Sequence, residues 1–256
     1  FDGFEEDNDL LKAYISSKMF DEDDLEDLAH HHHISFSVKT VPDKNWNKEW
    51  ESTFQPVVIN RLRDGVPFVG IRADFHPPLK DVKHEIIITP KMSFGTGHHA
   101  TTSMMIRMMG EINFSGKSVL DFGTGTGILA ILAEKLGASE IVAIDNDDQS
   151  IENATENFQS NNCHTISLLK ASSAGVSHKV DIILANIIKM VILESLPLLA
   201  EQLNNDGVII FSGLLTNDER DIVKIANERH LYLNKKIEVG DWICLQMRYQ
   251  QGILTN

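Results

Sequence analysis

Val119-Leu120-Asp121-Phe122-Gly123-Thr124-Gly125-Thr126-Gly127 decides how this 256-residue chain is read. A hydrophobic strand runs into three alternating glycines, and a helix is expected directly after them. Glycine lets the backbone turn tightly and approach a ligand with no Cβ in the way. The helix start then offers unpaired N–H groups and a partial positive charge to an anionic ligand group. Spacing narrows the ligand. A dinucleotide fingerprint counted from Gly123 and Gly125 needs glycine at position 128, which is Ile128. No GK[ST] follows the turn, so a nucleoside-triphosphate P-loop is excluded too.

Outward from the turn, Asp145 stands 22 residues after Gly123, at the end of the apolar run Ile141-Val142-Ala143-Ile144. An ionised carboxylate there has only acceptor sites and suits the two hydroxyls of a ribose. The competing reading has Asp145-Asn146-Asp147-Asp148 capping the next helix. Asn186, in Ala185-Asn186-Ile187-Ile188, ends a later apolar run. In an open α/β sheet ligands sit beyond the carboxyl ends of the strands, so Asn186 falls where chemistry is expected. Upstream, the glycine-rich stretch Met92 to Thr102 leads into a helix that Thr101 or Thr102 is placed to open.

From about residue 100, strand and helix alternate. Strands are expected at Ser118–Phe122, Glu140–Ile144, Thr165–Leu169, Asp181–Ala185 and Gly207–Ser212, with helices over 100–111, 126–136, 148–160, 189–203 and 217–229. Continuous apolar strands between amphipathic helices imply a parallel sheet covered on both faces. Leu231 to Val239 and Trp242 to Tyr249, joined by Gly240-Asp241, read as a closing hairpin. The fold class is therefore α/β, a doubly wound sheet finished by an antiparallel hairpin.

The first third follows a different pattern. Helices are expected over 9–18 and 23–30, and the alternation of Ile34, Phe36 and Val38 signals a strand. Trp46 and Trp50 share one face of a helical turn. Further strands are expected at Val57–Ile59, Phe68–Ile71 and Glu85–Ile88, with a loop from Pro77 to Lys83. The expected organisation is a small α+β domain over 1–42, connecting strands over 43–90 and a ligand-binding domain over 91–250. The chain starts at Phe1 without methionine, and the small domain is expected to be truncated at its start.

Net charge is −14, concentrated in the first 27 residues. Nucleic-acid affinity comes largely from Lys and Arg on phosphates, so the balance argues against a nucleic-acid reader and favours a basic protein partner. No apolar run reaches the roughly 20 residues of a membrane span. Cys163 and Cys244 show no CxxC spacing, which points to a reducing cytoplasm and away from zinc. Four consecutive histidines, His30 to His33, cannot all face one way and make a poor preformed metal site. No metal is expected.

The GxGxG turn after an acidic residue resembles the first motif of S-adenosylmethionine methyltransferases. Base and glutamine methyltransferases tend to carry Asn/Asp-Pro-Pro-Tyr where this chain has Asn186-Ile187-Ile188, without prolines or aromatic. FGTGHHATT, then LDFGTGTG, AIDND and ANII, in this order and spacing, closely resembles the ribosomal protein L-eleven methyltransferases. The resemblance covers about residues 40 to 250, including NWNKEW, Ser212-Gly213-Leu214 and Asp241-Trp242; the family's acidic residue and glycine before FGTG are Thr89 and Lys91 here.

It implies a bacterial cytoplasmic enzyme with a Rossmann-like catalytic domain. Such an enzyme uses S-adenosyl-L-methionine, releases S-adenosyl-L-homocysteine, and methylates lysine and/or N-terminal amino groups of ribosomal protein L-eleven, free or on the large subunit. A small N-terminal domain would recognise that protein. The cofactor-contacting positions fall on Thr102, Gly123, Asp145 and Asn186, with Gly125 in the same turn, and the Asn186 side chain would also position the amine. A small-molecule or other-protein N-methyltransferase, or a non-catalytic cofactor-binding module, remains open on sequence grounds because fold alone does not choose among them.

Overall fold

The computed structural model describes residues 3–7, 10–40, 54–89 and 95–249, and the chain divides into two units, 1–46 and 47–256. In the smaller unit, β1 (Gly3–Asp7) pairs antiparallel with β2 (Leu10–Tyr14), and α1 (Glu22–His32) follows. The helix expected over 9–18 is thus a strand at its core. Leu10 and Leu11 are both exposed, so no buried face rewards a helix there, and pairing with β1 satisfies the backbone instead. The helix expected over 23–30 is α1. Asp21 caps it, accepting from the N–H groups of Asp23 and Asp24, and acidic residues fill its first turn, where the helix dipole favours them. His30, His31 and His32 occupy its last turn, and His33 ends it in the left-handed region at φ 54°. Ile34, Phe36 and Val38 lie in irregular, exposed backbone; they have no ladder partner among the described residues, so their alternation builds no strand. Trp46 and Trp50 lie outside the described residues.

The larger unit opens with a three-stranded sheet of β3 (Val57–Asn60), β4 (Pro67–Arg72) and β5 (His84–Ile87). β3 runs antiparallel to β4, and β5 runs parallel to it. The expected loop over 77–83 bridges β4 and β5. Next come α2 (Ala100–Met109), β6 (Ser118–Phe122), α3 (Ile128–Lys135), β7 (Glu140–Asp145), α4 (Asp148–Ser160) and β8 (Ile166–Lys170). β9 (Val180–Asn186), α5 (Lys189–Gln202), β10 (Leu203–Leu215), α6 (Glu219–Glu228), β11 (Leu231–Val239) and β12 (Trp242–Tyr249) complete it.

The seven-stranded sheet has the order β11-β12-β10-β9-β6-β7-β8. Strands β6 to β10 are mutually parallel, and β12 lies antiparallel between β10 and β11. Successive strand residues point to opposite faces and so feed two cores. Val119, Ile141 and Ile182 join one cluster with the methionines of α2 and the apolar face of α3. Their neighbours Leu120, Val142 and Ile183 join the other, with α5 and α6. Ile59, Phe68, Ile71 and Ile86 of the small sheet pack into the first cluster.

The parallel strands order as 5-4-1-2-3 in their own sequence. Connections from β6 lead one way to β7 and β8, while β9 lies on its other side, so the order reverses between β6 and β9. That switch point leaves a crevice beyond the strand ends, the usual ligand position in such sheets.

Candidate active site

The glycine turn leaves β6 at this crevice. The N–H groups of Gly123 and Thr124 both donate to Ile144 O, at 2.8 and 2.9 Å, folding the turn back over the end of β7. Gly123 has φ 76°, and a Cβ there would lie 2.2 Å from Ile187 Cγ2. Both the backbone conformation and the close approach of the segment after β9 require glycine.

Asp145 sits at the end of β7 with its carboxylate aimed by two backbone donors. Gly125 N–H donates to Oδ2 at 2.9 Å and Asp147 N–H donates to Oδ1 at 3.1 Å. The helix cap is Asp147, whose Oδ2 accepts from Ser150 N–H at 2.8 Å. Asp145 is therefore held against the glycine turn while its remaining lone pairs face the crevice.

Asn186 ends β9 on the opposite side of the switch point. Its Nδ2 donates to Thr102 Oγ1 at 3.3 Å. Its Oδ1 is buried and has no hydrogen-bond partner among the described residues. A cavity of about 420 Å³ lies between Gly123, Gly125, Asp145, Asn186, Ile187 and Trp242. Four of the five residues singled out from sequence thus line one cavity. The fifth, Thr102, is fully buried behind the wall, against Asn186.

Other wall residues carried no local signal. His99, and not a threonine, caps α2: Thr101 N–H donates to His99 Nδ1 at 3.3 Å, and Thr101 Oγ1 lies 2.7 Å from the same nitrogen. The His99 ring meets Trp242 edge to face with centroids 4.8 Å apart. Trp242 arrives from the closing hairpin, in register with Leu215 of β10. Ile188 stands 66% exposed where the cavity opens. The sequence marked HH as part of a glycine-rich run and Asp241-Trp242 only through resemblance, because the approach of positions 99 and 242 is a long-range fact.

Asp121 lies fully buried beneath the turn, and Thr124 Oγ1 donates to its Oδ2 at 2.6 Å. Burial pushes its carboxyl up to about 7, from an ordinary 3.8. Between those two values the folded protein keeps a proton that the unfolded chain has released, so stability falls as pH rises through this window. The span of about three pK units corresponds to a loss of order 4 kcal/mol by pH 8. Asp121→Asn removes this titration. The stability of wild type relative to Asp121→Asn should therefore decline steadily from pH 4 to pH 8, as followed by urea unfolding at each pH. A constant difference would show that Asp121 ionises as an ordinary carboxyl.

A family model described as ribosomal protein L11 methyltransferase (PrmA) matches residues 4–250. The chain belongs to this family. Among curated relatives, the ribosomal protein L11 methyltransferase of Porphyromonas gingivalis is 36% identical over 254 residues, 96% of this chain and 86% of the relative. That of Phocaeicola vulgatus is 38% identical over 254 residues, 96% of this chain and 88% of the relative. The crystal structure of ribosomal protein L11 methylase from Lactobacillus delbrueckii subsp. bulgaricus superposes with a TM-score of 0.66 at 35% identity, covering 75% of this chain and 99% of that one. Membership gives the crevice its chemistry: the protein is a methyltransferase, and the switch-point cavity is its candidate active site.

Proposed function

We propose that the protein transfers methyl groups from S-adenosylmethionine to amino groups of ribosomal protein L11, in the cytoplasm, with Gly123, Gly125 and Asp145 holding the cofactor and Asn186 aiming the amine. The observation that carries this reading is that Asn186, whose buried Oδ1 has no hydrogen-bond partner among the described residues, lines a cavity whose other side is the glycine turn. A buried acceptor without a donor is costly, so it calls for an N–H from a ligand.

The residues present fit the cofactor. The Asp145 carboxylate suits paired ribose hydroxyls, and Gly123 and Gly125 bring the turn to the same cavity. Bound here, S-adenosylmethionine supplies an electrophilic methyl on a sulfonium that leaves as a neutral thioether. The chain's own task is then orientation and control of the acceptor's proton.

Asn186 Oδ1 accepts one N–H of a neutral amine, which turns the nitrogen lone pair toward the methyl. The Nδ2 bond to Thr102 fixes the amide and leaves Oδ1 as its unpaired acceptor. A lysine with pKa near 10.4 costs about 4.6 kcal/mol to deprotonate at pH 7, while an α-amine near 8 costs about 1.4 kcal/mol. The apolar rim of Ile187, Ile188 and Trp242 lowers that cost by desolvating the ammonium form.

Incubation with methyl-labelled S-adenosylmethionine and unmethylated L11, free or on large subunits, tests the reading by mass spectrometry. Label is expected on lysine side chains and/or the α-amine of L11. Cofactor binding without transfer to L11, or transfer only to small molecules of a metabolite extract, would overturn it.

A further inference from the structure

We infer that Thr126 and Asn157 are positioning residues for methyl transfer, a buried polar link that locks the segment 95–102, which brings His99 and Thr101 to the cavity, onto the glycine turn. The inference rests on the functional reading above and concerns two side chains that do not line the cavity.

Asn153 and Asn157, four residues apart, share one face of α4, and Asn161 caps its C-terminus. Asparagine is a weak helix former, and a buried amide is costly unless its hydrogen bonds are made. Asn157 is fully buried and uses both ends. Its Oδ1 accepts from Thr89 N–H at 2.8 Å, and its Nδ2 donates to Thr126 O at 2.8 Å and to Asn153 Oδ1 at 3.2 Å.

Thr126 passes the link on. It is fully buried, and its Oγ1 donates to Gly95 O at 2.7 Å. Gly95 has φ 110°, and a Cβ there would lie 2.7 Å from that same Oγ1, so the contact needs a glycine. Thr126 stands between Gly125, whose N–H holds Asp145, and Gly127, which ends the turn. Gly95 stands four residues before His99, which caps α2 and lines the cavity with Thr101. One residue further, Thr102 holds the Asn186 amide.

The glycine turn and the segment that carries His99, Thr101 and Thr102 are therefore joined through the Thr126 hydroxyl. Loss of the Thr126–Gly95 bond leaves Gly123, Gly125 and Asp145 in place and frees the segment that leads to His99 and Thr102. Alignment should suffer while cofactor affinity does not.

Thr126→Val keeps the shape and removes the hydroxyl; Thr126→Ser restores it. On unmethylated L11, Thr126→Val should lose about tenfold or more in kcat with cofactor Kd, by calorimetry, within about threefold of wild type. Thr126→Ser should return to within about threefold of wild type in both. Without cofactor, backbone amide exchange over residues 96–103 should speed up about tenfold or more in Thr126→Val only, with 119–123 unchanged.

Unaltered kcat and exchange in Thr126→Val would overturn the proposal, as would no rescue by serine. A loss of cofactor affinity matching the loss of kcat would also overturn it, by showing that Thr126 serves the glycine turn alone. Should Thr126→Val not fold, Thr126→Ala carries the same readouts. Should wild type transfer nothing to L11, the functional reading fails while the exchange measurement still decides the link.

Discussion

Asn186→Ala is expected to lower kcat by about 100-fold or more, while the cofactor Kd weakens by less than about tenfold. The substitution removes the unpartnered acceptor Oδ1, assigned above to the amine, and the Nδ2 bond that fixes the amide against Thr102. An amine that enters such a site still meets the methyl, but its lone pair is no longer aimed, and a misplacement of about 1 Å costs on the order of 100-fold. The cofactor keeps the glycine turn and Asp145, so its affinity changes little. Asn186→Asp keeps an acceptor and loses the donor to Thr102, so it should fall between wild type and alanine. Single-turnover kinetics with saturating cofactor, beside calorimetric Kd values, separate the two effects. Equal losses in kcat and affinity would mean that Asn186 serves the cofactor and not the amine.

Asp145→Ala should produce the opposite split. Two charge-assisted hydrogen bonds to ribose hydroxyls are worth about 1.5–3 kcal/mol each, so their joint loss weakens binding by at least about 100-fold. A further cost arises inside the protein: Gly125 N–H loses its acceptor and the turn loses its tie to β7. At saturating cofactor, kcat should remain within about tenfold of wild type, because Asn186 and the segment 95–102 are untouched. Asp145→Asn, which keeps one acceptor oxygen and no charge, should lie nearer to alanine than to wild type. A cofactor Kd for Asp145→Ala within about threefold of wild type would remove Asp145 from the binding site and leave it a turn-stabilising residue.

Much of this was legible in the chain because it is locally encoded. The inner parallel strands β6, β7, β9 and β10 read as largely apolar runs, since burial on both faces leaves little polar alternation to confuse them. Gly240 takes φ 57° in the closing hairpin, a conformation that Gly-Asp announces. The glycine turn, Asp145 and Asn186 were legible for the same reason: each follows a strand whose end fixes its place. The β1–β2 hairpin was not, because Leu10, Leu11 and Tyr14 suit a helix or a strand until their pairing is known. Nor was the His99–Trp242 contact, where two residues 143 positions apart meet edge to face. The asparagines of α4 had a readable spacing, but only the packed structure shows that Thr89 and Thr126 wait on their inner face.

The placing of β12 has a temporal consequence. The last described strand is not at the rim of the sheet but between β10 and β11, and Trp242 at its start completes the cavity wall. This strand pairs with β11 across the Gly240-Asp241 turn and with β10 beyond α6, so neither ladder forms until β12 itself has been made. During synthesis the glycine turn and both carboxyl-end residues, Asp145 and Asn186, leave the ribosome well before that strand. A growing chain therefore carries the recognisable motifs of the family for some time before β12 completes the cavity wall.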